Sequence, residues 1–281
     1  EFIYATADNS NDMRVLAVSG VYNGQTASVS NPIEIGRYIA PAADNNNYVH
    51  DITVLNHGGA VGRRAYLAYW NSGVVVLNAA TVTPGVNPVP VIGPNQIDPA
   101  NFLAHHAFAN QAGDRVFTQD EFLSSNGQEP VQMWNVSNPA APVYVDGIEL
   151  GVDVPANPAH NLEIRFDINP NRLYVGWYKM GLQAWDFTLA GFDHGANPAP
   201  RTAVQYHQAQ TEANDEAYSG AWGIRMENIT VDGSTKLYLF QSDRNYGLIV
   251  DCVSCAAPPP PPAPSGTGDV KGKVTDAATG A

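Results

Sequence analysis

Three histidines stand at equal intervals along the chain, each at the start of a short run of strand-forming residues. They are His50 in VHDITV, His105 in AHHAFAN and His160 in AHNLEI, and each lies 55 residues from the next. Neutral imidazole is the commonest side-chain ligand of transition metals, so three imidazoles that converge on one point form a metal site. The spacing predicts such a cluster, provided that the fold brings the three positions together.

Nearby residues extend this prediction. Asp120 and Glu121 end the apolar run that follows the second histidine, and a carboxylate from this pair would add an oxygen ligand for a divalent ion. Asp51, His106 and Asn161 each come directly after one of the three histidines. Because side chains alternate along a strand, we expect these three on the opposite face.

The recurrence of histidine also has a structural interpretation. A residue that recurs in each copy of a repeat commonly supports the repeat, and an imidazole bonded to neighbouring backbone would hold each copy in place. Active sites more often break repeat symmetry. Both interpretations, metal ligand and structural signature, stay open on the sequence alone.

The histidine interval belongs to a longer internal repeat. After each histidine run come a second run, such as residues 172–177, a third, such as 181–186, and a fourth, such as 142–145, with Gly, Asn and Pro between them. A further copy opens at Trp222, and the N-terminal piece carries only the last three runs. Short runs rich in Val, Ile, Tyr and Trp are typical of strands. Four strands per unit predict an all-β fold, a β-propeller with five visible blades of which the first and last are incomplete.

All five tryptophans fall inside these units. Large aromatic side chains dominate the packing between stacked sheets. We therefore expect the tryptophans to fill the gaps between blades. They are Trp70, Trp134, Trp177, Trp185 and Trp222.

The repeat resembles a known family. The pattern Gly-Leu-x-x-Trp/Val-Asp followed by Asn-Pro-x-x-Pro resembles the LVIVD repeat and is clearest in residues 131–142, VQMWNVSNPAAP. Residues 160–186, together with TQDE at 118–121 and GAWG at 220–223, are similar to bacterial choice-of-anchor B proteins. The resemblance covers about residues 10 to 251. It implies a β-propeller on a secreted or surface-anchored bacterial protein, with further blades before residue 1, and it implies no particular activity.

The domain prediction follows from these patterns. Residues 1–255 form the propeller, and residues 256–268 form a linker in which five consecutive prolines favour an extended spacer. Residues 269–281 look like the first strand and turn of a carboxypeptidase-regulatory-like β-sandwich module. The chain is thus expected to be a piece of a larger modular protein.

Two smaller sites are predicted near the ends of the propeller. Cys252 and Cys255 lack the context of a redox, haem or four-thiolate zinc site, and a short disulfide is expected in an oxidising compartment. Asp8, Ser10 and Asp12 occupy the first three ligand positions of a calcium loop, without its glycine and distant glutamate. A plain hairpin turn is the alternative for that segment.

Composition narrows the function classes. The 281 residues are 44% hydrophobic and only 15% charged, and the net charge of −13 argues against nucleic-acid binding. No apolar stretch has the length of a membrane span, and the Gly-x-Ser-x-Gly, His-Glu-x-x-His and phosphate-loop motifs are absent. Low lysine content suits a secreted or cell-surface protein. Asn135 and Asn228 match the glycosylation sequon.

Three functional hypotheses follow. The first is a non-enzymatic extracellular β-propeller, a structural or interaction module of a larger bacterial protein whose partners are proteins, glycans or other copies of itself. The second is a metal-dependent secreted enzyme with a His-lined site in the propeller channel. The third is a subunit of an extracellular filament assembled by strand exchange. A divalent metal ion is the one cofactor that the residues indicate.

Overall fold

The computed structural model describes residues 1–6, 11–39, 48–80, 82–97, 103–121, 130–148, 159–178, 181–188, 191–192 and 220–252. Within these ranges the chain forms antiparallel strands and no helix, so the predicted all-β class is confirmed. It follows that the described residues contain no helix with the length and hydropathy needed to cross a membrane. The predicted linker and the residues after it lie outside the described ranges.

The strands are, in chain order, β1 (Phe2–Ala5), β2 (Asp12–Ala17), β3 (Val21–Tyr22), β4 (Gln25–Thr26), β5 (Ile33–Ile39), β6 (Asp51–Asn56), β7 (Arg63–Ala68), β8 (Val74–Asn78), β9 (Val89–Ile92), β10 (Ala104–Ala109), β11 (Arg115–Asp120), β12 (Val131–Asn135), β13 (Val143–Ile148), β14 (Leu162–Glu163), β15 (Arg172–Gly176), β16 (Leu182–Thr188), β17 (Gly191–Phe192), β18 (Ala221–Val231), β19 (Ser234–Asp243) and β20 (Gly247–Cys252).

These strands form a series of meanders in which each strand pairs with the next. Three sheets have four strands, in the orders β6-β7-β8-β9, β10-β11-β12-β13 and β14-β15-β16-β17. The first sheet has the order β1-β2-β5, with the small hairpin β3-β4 inserted, and the last has the order β18-β19-β20. The repeat units read from the sequence therefore correspond to successive sheets, with three strands in the first and last units.

Neighbouring sheets meet in the same way at each step. The first described strand of each sheet contacts the first strand of the preceding sheet, as β6 does β1, β10 does β6, β14 does β10 and β18 does β14. In two of these steps it also lies against the second strand of the preceding sheet, β10 against β7 and β18 against β15. Isolated bridges between Trp70 and Ala104, and between Tyr178 and Ala221, join the same positions in two of these contacts. The repeated contact brings the beginnings of successive first strands together.

The core lies between the sheets. Four apolar clusters separate the five successive sheets, because alternate residues of one strand face opposite sides. In β7, Ala65 and Leu67 face the preceding sheet, whereas Tyr66 and Ala68 face the following one. Both faces of an inner sheet are therefore buried, which explains the nearly continuous apolar character of the runs in the sequence.

The tryptophans follow the packing prediction only in part. Trp134, Trp177 and Trp185 are buried in the clusters between sheets, and the last two pack with ring centroids 5.4 Å apart. Trp222 is 44% exposed and belongs to no core cluster. The prediction is wrong for Trp222, because a strand irregularity turns its side chain away from the inter-sheet packing.

His106 joins three successive sheets. This β10 residue is buried, its Nδ1 accepts the backbone N–H of Leu162 at 3.1 Å, and its Nε2 lies 3.4 Å from Thr53 Oγ1 and 3.6 Å from Asp51 Oδ2. Since Nδ1 accepts a hydrogen bond, the proton of the neutral ring is on Nε2. Burial lowers the pKa of His106, and the nearby Asp51 carboxylate opposes that shift only in part.

We expect this buried imidazole to make stability depend on pH. A histidine pKa lowered by folding contributes stability that is complete above the unfolded value of about 6.5 and is lost as pH falls below it. Glutamine can accept from Leu162 N–H and donate to Thr53 without titrating. The free energy of unfolding, measured with urea at neutral and mildly acidic pH, should fall less with decreasing pH in His106→Gln than in the wild-type protein. The difference between the two proteins should be up to about 1.4 kcal/mol for each pH unit below 6.5. An identical loss in both proteins would contradict the assignment.

Candidate functional site

The three repeat histidines form a row. The ring centroids of His50 and His105 are 3.9 Å apart, and those of His105 and His160 are 4.4 Å apart. Trp70 stacks on His50 at one end with a centroid distance of 5.3 Å, and Trp222 contacts His160 at the other end at 5.4 Å. The structure thus brings together three side chains that are 55 residues apart in sequence.

Irregularities in two strands aim side chains into this row. In β10, Ala104 pairs with Asp120 and His106 with Gln119, so His105 is an extra residue outside the ladder. In β18 the corresponding extra residue is Trp222, between Ala221 and Gly223. Such bulges redirect a side chain and are common beside functional sites.

Two of the histidines bind the next sheet through Nδ1. His50 Nδ1 lies 3.1 Å from the carbonyl oxygen of His105, and His160 Nδ1 lies 2.9 Å from that of Trp222. A carbonyl oxygen only accepts, so Nδ1 donates in both contacts, and in that tautomer Nε2 keeps its lone pair. The predicted structural role of the histidines is thus visible on the Nδ1 side, and the Nε2 side is left for other partners.

His105 has the same tautomer, but its Nδ1 is bonded to a side chain instead of a backbone carbonyl. Its Nδ1 lies 2.9 Å from Gln119 Oε1, while Gln119 Nε2 donates to the carbonyl oxygen of Ala159 at 2.6 Å. The amide is oriented by that second bond, so its oxygen faces the imidazole and the ring proton is again on Nδ1. The positions that correspond to Gln119 in the other sheets hold small residues, namely Ala68, Gly176 and Ser242.

Glu121 faces the Nε2 atoms of two histidines. Its Oε2 lies 3.2 Å from His105 Nε2, and its Oε1 lies 3.8 Å from His160 Nε2. The hydroxyl of Tyr178 donates to Glu121 Oε1 and orients the carboxylate. With the ring proton on Nδ1, His105 Nε2 is an acceptor, as carboxylate oxygens are, and a cation coordinated by both atoms would satisfy them. His105, Glu121 and His160 each offer a ligand atom within 4.8 Å of the others, a set that can bind a divalent metal ion.

The pKa values of His105 and His160 are both well below the usual value for histidine. Burial lowers the pKa of His105 to about 2, and the neighbouring rings of His160 and His50 lower it further. Burial also lowers the pKa of His160 to about 3, against the opposing effect of its bond to the Trp222 carbonyl. A neutral ring with a lone pair on Nε2 is the form of histidine that binds metal.

The residue that follows the second strand of each sheet differs in chemistry from one sheet to the next. Trp70 and Tyr178 occupy this position with φ of 37° and 30°, a left-handed conformation that is unusual for bulky residues and is held by the bridges to Ala104 and Ala221. In successive sheets from the second to the last, the equivalent residues are Trp70, Glu121, Tyr178 and Arg244. An aromatic ring, a carboxylate, a phenol and a guanidinium thus replace one another on a repeating backbone, which is typical of a functional site.

A cavity of about 330 Å³ opens onto the cluster. Besides the histidine row, Glu121 and Trp222, it is lined by Asp51, Asn161, Gly223 and Ser242. Asp51 and Asn161 thus line the same cavity as the histidines that precede them, and the Asp51 carboxylate also lies 3.6 Å from His106 Nε2. His106 does lie apart from this cavity, in the contact among three sheets described above.

The second predicted carboxylate does not join the cluster. Asp120 is buried, and its Oδ2 accepts the backbone N–H of Leu103 at 3.2 Å. Alternation along the strand end sends Asp120 and Glu121 to different sides. The structure therefore brings together His50, His105, His160 and Glu121.

The remaining predicted sites lie elsewhere or only partly within the described residues. Asp12 is paired with Arg14 at 3.0 Å, whereas Asp8 and Ser10 lie outside the described ranges. Cys252 ends β20 and Cys255 lies outside the described ranges, so the disulfide stays a prediction.

The two sequon asparagines lie near strand ends or on exposed strand faces. Asn135 ends β12, where its side chain accepts the backbone N–H of Ser137 at 3.0 Å. Asn228 is exposed in β18. Glycosylation at both positions stays a prediction.

The sequence alone pointed to the histidines and Glu121 but missed Gln119, Tyr178 and Trp222 as members of the site. Aligning the ends of the second strands across the repeat would have exposed the variable position that Tyr178 occupies. No family model matches the chain, and no curated protein matches it. The resemblance to the LVIVD repeat therefore stays a hypothesis from sequence.

Gly176 is predicted to be essential to the geometry around His160. A Cβ at this position would lie 2.9 Å from the carbonyl oxygen of Trp222, the atom that holds His160 Nδ1. We expect Gly176→Ala to push β15 and β18 apart and to lower the free energy of unfolding by about 1–3 kcal/mol, as measured with urea. Gly93→Ala is the matched control, because its Cβ would meet only Gln96 Nε2 at 3.7 Å. Equal effects of the two substitutions would contradict the prediction.

Proposed function

We propose that the five sheets are blades of a β-propeller. The proposal is supported by the identical meander order of the three four-stranded sheets and by the repeated contact between the first strands of neighbouring sheets. The apolar clusters between successive sheets also support it, because a blade cannot bury both of its faces alone. In that architecture the starts of the first strands, and hence the histidine row, border the central axis.

We further propose that the propeller carries a divalent transition-metal centre with His105, Glu121 and His160 as protein ligands. The observation that carries the proposal is the 3.2 Å approach of His105 Nε2 to Glu121 Oε2, two acceptor atoms that a cation between them would satisfy. Gln119 and the Trp222 carbonyl hold the two imidazoles in the required tautomer. Such outer hydrogen bonds orient and tune metal-binding histidines.

The donor set favours a catalytic centre over a structural one. Structural zinc sites are usually closed by four protein ligands, whereas catalytic sites keep three and leave a position for water or substrate. Two imidazoles and one carboxylate are such a set, and the adjoining cavity supplies space for a substrate. A bound ion would polarise a substrate oxygen or lower the pKa of a bound water, so we assign the chain to the metal-dependent enzymes.

His50 has a supporting place in this proposal. Its ring lies in van der Waals contact with His105, and its Nδ1 binds the His105 carbonyl. Trp70 stacks on its other face. These contacts fix the backbone from which His105 projects.

The interaction-module and filament hypotheses are carried by a different observation. Leu248 and Val250 on β20 are 68% and 47% exposed, whereas the equivalent third strands β8 and β12 are almost wholly buried. Exposed apolar side chains on the last strand of a sheet favour contact with a further protein segment. An extracellular module that joins other proteins or copies of itself thus stays a second candidate, compatible with a metal centre.

Metal binding tests the proposed function directly. After removal of metal with a chelator, calorimetric titration with Zn²⁺ should show one ion bound per chain. His105→Ala and Glu121→Gln should each weaken binding by at least about a hundredfold, since the first removes a ligand nitrogen and the second replaces the charged carboxylate with a neutral amide. His57→Ala is the control, because His57 bonds Gln111 and Tyr66 in another contact between sheets.

Three results would contradict the proposal. They are a chain that binds no Zn²⁺, Co²⁺ or Cu²⁺, binding that survives both ligand substitutions, and binding that His57→Ala weakens as strongly as they do.

A further inference from the structure

Trp222 contacts both nitrogens of one histidine. Its carbonyl oxygen lies 2.9 Å from His160 Nδ1, and its indole Nε1–H donates to His160 Nε2. The contact with Nδ1 is made by the backbone of Trp222, and the contact with Nε2 is made by its side chain. The residue thus holds His160 in the metal-binding tautomer and at the same time occupies the atom that would bind metal.

An indole hydrogen bond and a metal bond cannot share His160 Nε2, because that atom has a single lone pair. We propose that the Trp222 indole is a gate on the metal centre, closed when it donates to His160 and swung aside when an ion is bound. This inference rests on the proposed metal site and adds a residue that controls entry to it.

The backbone of Trp222 is fixed between two sheets, whereas its side chain is partly exposed to solvent. The carbonyl is bonded to His160 and packs against Gly176, which has no Cβ to block the approach. The neighbouring Ala221 N–H donates to the carbonyl of Tyr178. By contrast, the indole is 44% exposed, and Trp222 is the bulged residue of β18. Rotation about the side-chain bonds can therefore open the gate without breaking the strand.

Arg244 is placed to hold the closed position. Its guanidinium carbon lies 5.3 Å from the centroid of the Trp222 ring, within the range of a cation–π contact. Arg244 also stands at the repeat position that Glu121 and Tyr178 occupy in the preceding sheets. The guanidinium that supports the gate and the carboxylate ligand of the metal site thus come from equivalent positions of the repeat.

Trp222→Phe is the decisive variant because it keeps an aromatic ring and removes the N–H donor. Since the ion no longer displaces a hydrogen bond, we expect Zn²⁺ affinity to rise about two- to tenfold, the equilibrium equivalent of one net hydrogen bond. Trp222→Leu should raise the affinity similarly. Far-UV circular dichroism and the urea midpoint establish that each variant is folded.

Tryptophan fluorescence reports the motion itself. Zn²⁺ should shift the emission of the wild-type chain and increase its quenching by acrylamide, and Trp222→Phe should abolish both changes. Trp70→Phe is the matched control, because Trp70 stacks on the histidine row without bonding His160 Nε2. It should keep the spectral response.

The outcomes separate the gate from the metal site. Zn²⁺ binding with unchanged affinity in both Trp222 variants and no spectral response would overturn the gate and leave the metal centre standing. Failure of the wild-type chain to bind any ion would overturn the metal centre and the gate together.

Discussion

The hydrogen bond from a histidine Nδ1 to a carbonyl of the next sheet is the interaction on which the rest of the site depends. His50 and His160 each make it, and in doing so they join sheets that also meet through apolar clusters and isolated backbone bridges. The same bond places the ring proton on Nδ1 and turns the Nε2 lone pair away from the backbone. A contact that strengthens the repeat therefore also prepares the imidazoles for a ligand.

The site is formed at positions where the repeated backbone is the same in each sheet but the side chains differ. Gln119 replaces the small residues found at the equivalent positions. Its side-chain oxygen accepts the hydrogen bond from His105 Nδ1, as backbone carbonyl oxygens do for the other two histidines. One position further on, Glu121 and Tyr178 come from neighbouring sheets and meet through a hydrogen bond. A repetitive scaffold supplies equivalent positions around one point, and substitutions at those positions supply different functional groups there.

Stability alone does not account for this arrangement. Burying imidazoles beside a carboxylate costs solvation free energy, and burial lowers the pKa of His105 and of His160. An apolar cluster like those between the sheets would fill the same space at lower cost. Perturbed, clustered ionisable groups beside a cavity are characteristic of functional sites, and here the perturbation has a specific geometric cause.

The all-β class, the division into repeated strand units and the set of histidines could be predicted from the amino-acid sequence, because strand periodicity and the 55-residue interval are local or repeated signals. The tertiary structure decided which neighbours join them. Asp120 and Glu121 are adjacent in sequence, yet only Glu121 faces the imidazoles, and Tyr178 reaches it from 57 residues away. The bulges at His105 and Trp222 reverse the face that simple alternation assigns. Register irregularities and contacts between sheets depend on the packing of the whole fold, so the pattern of single residues does not reveal them.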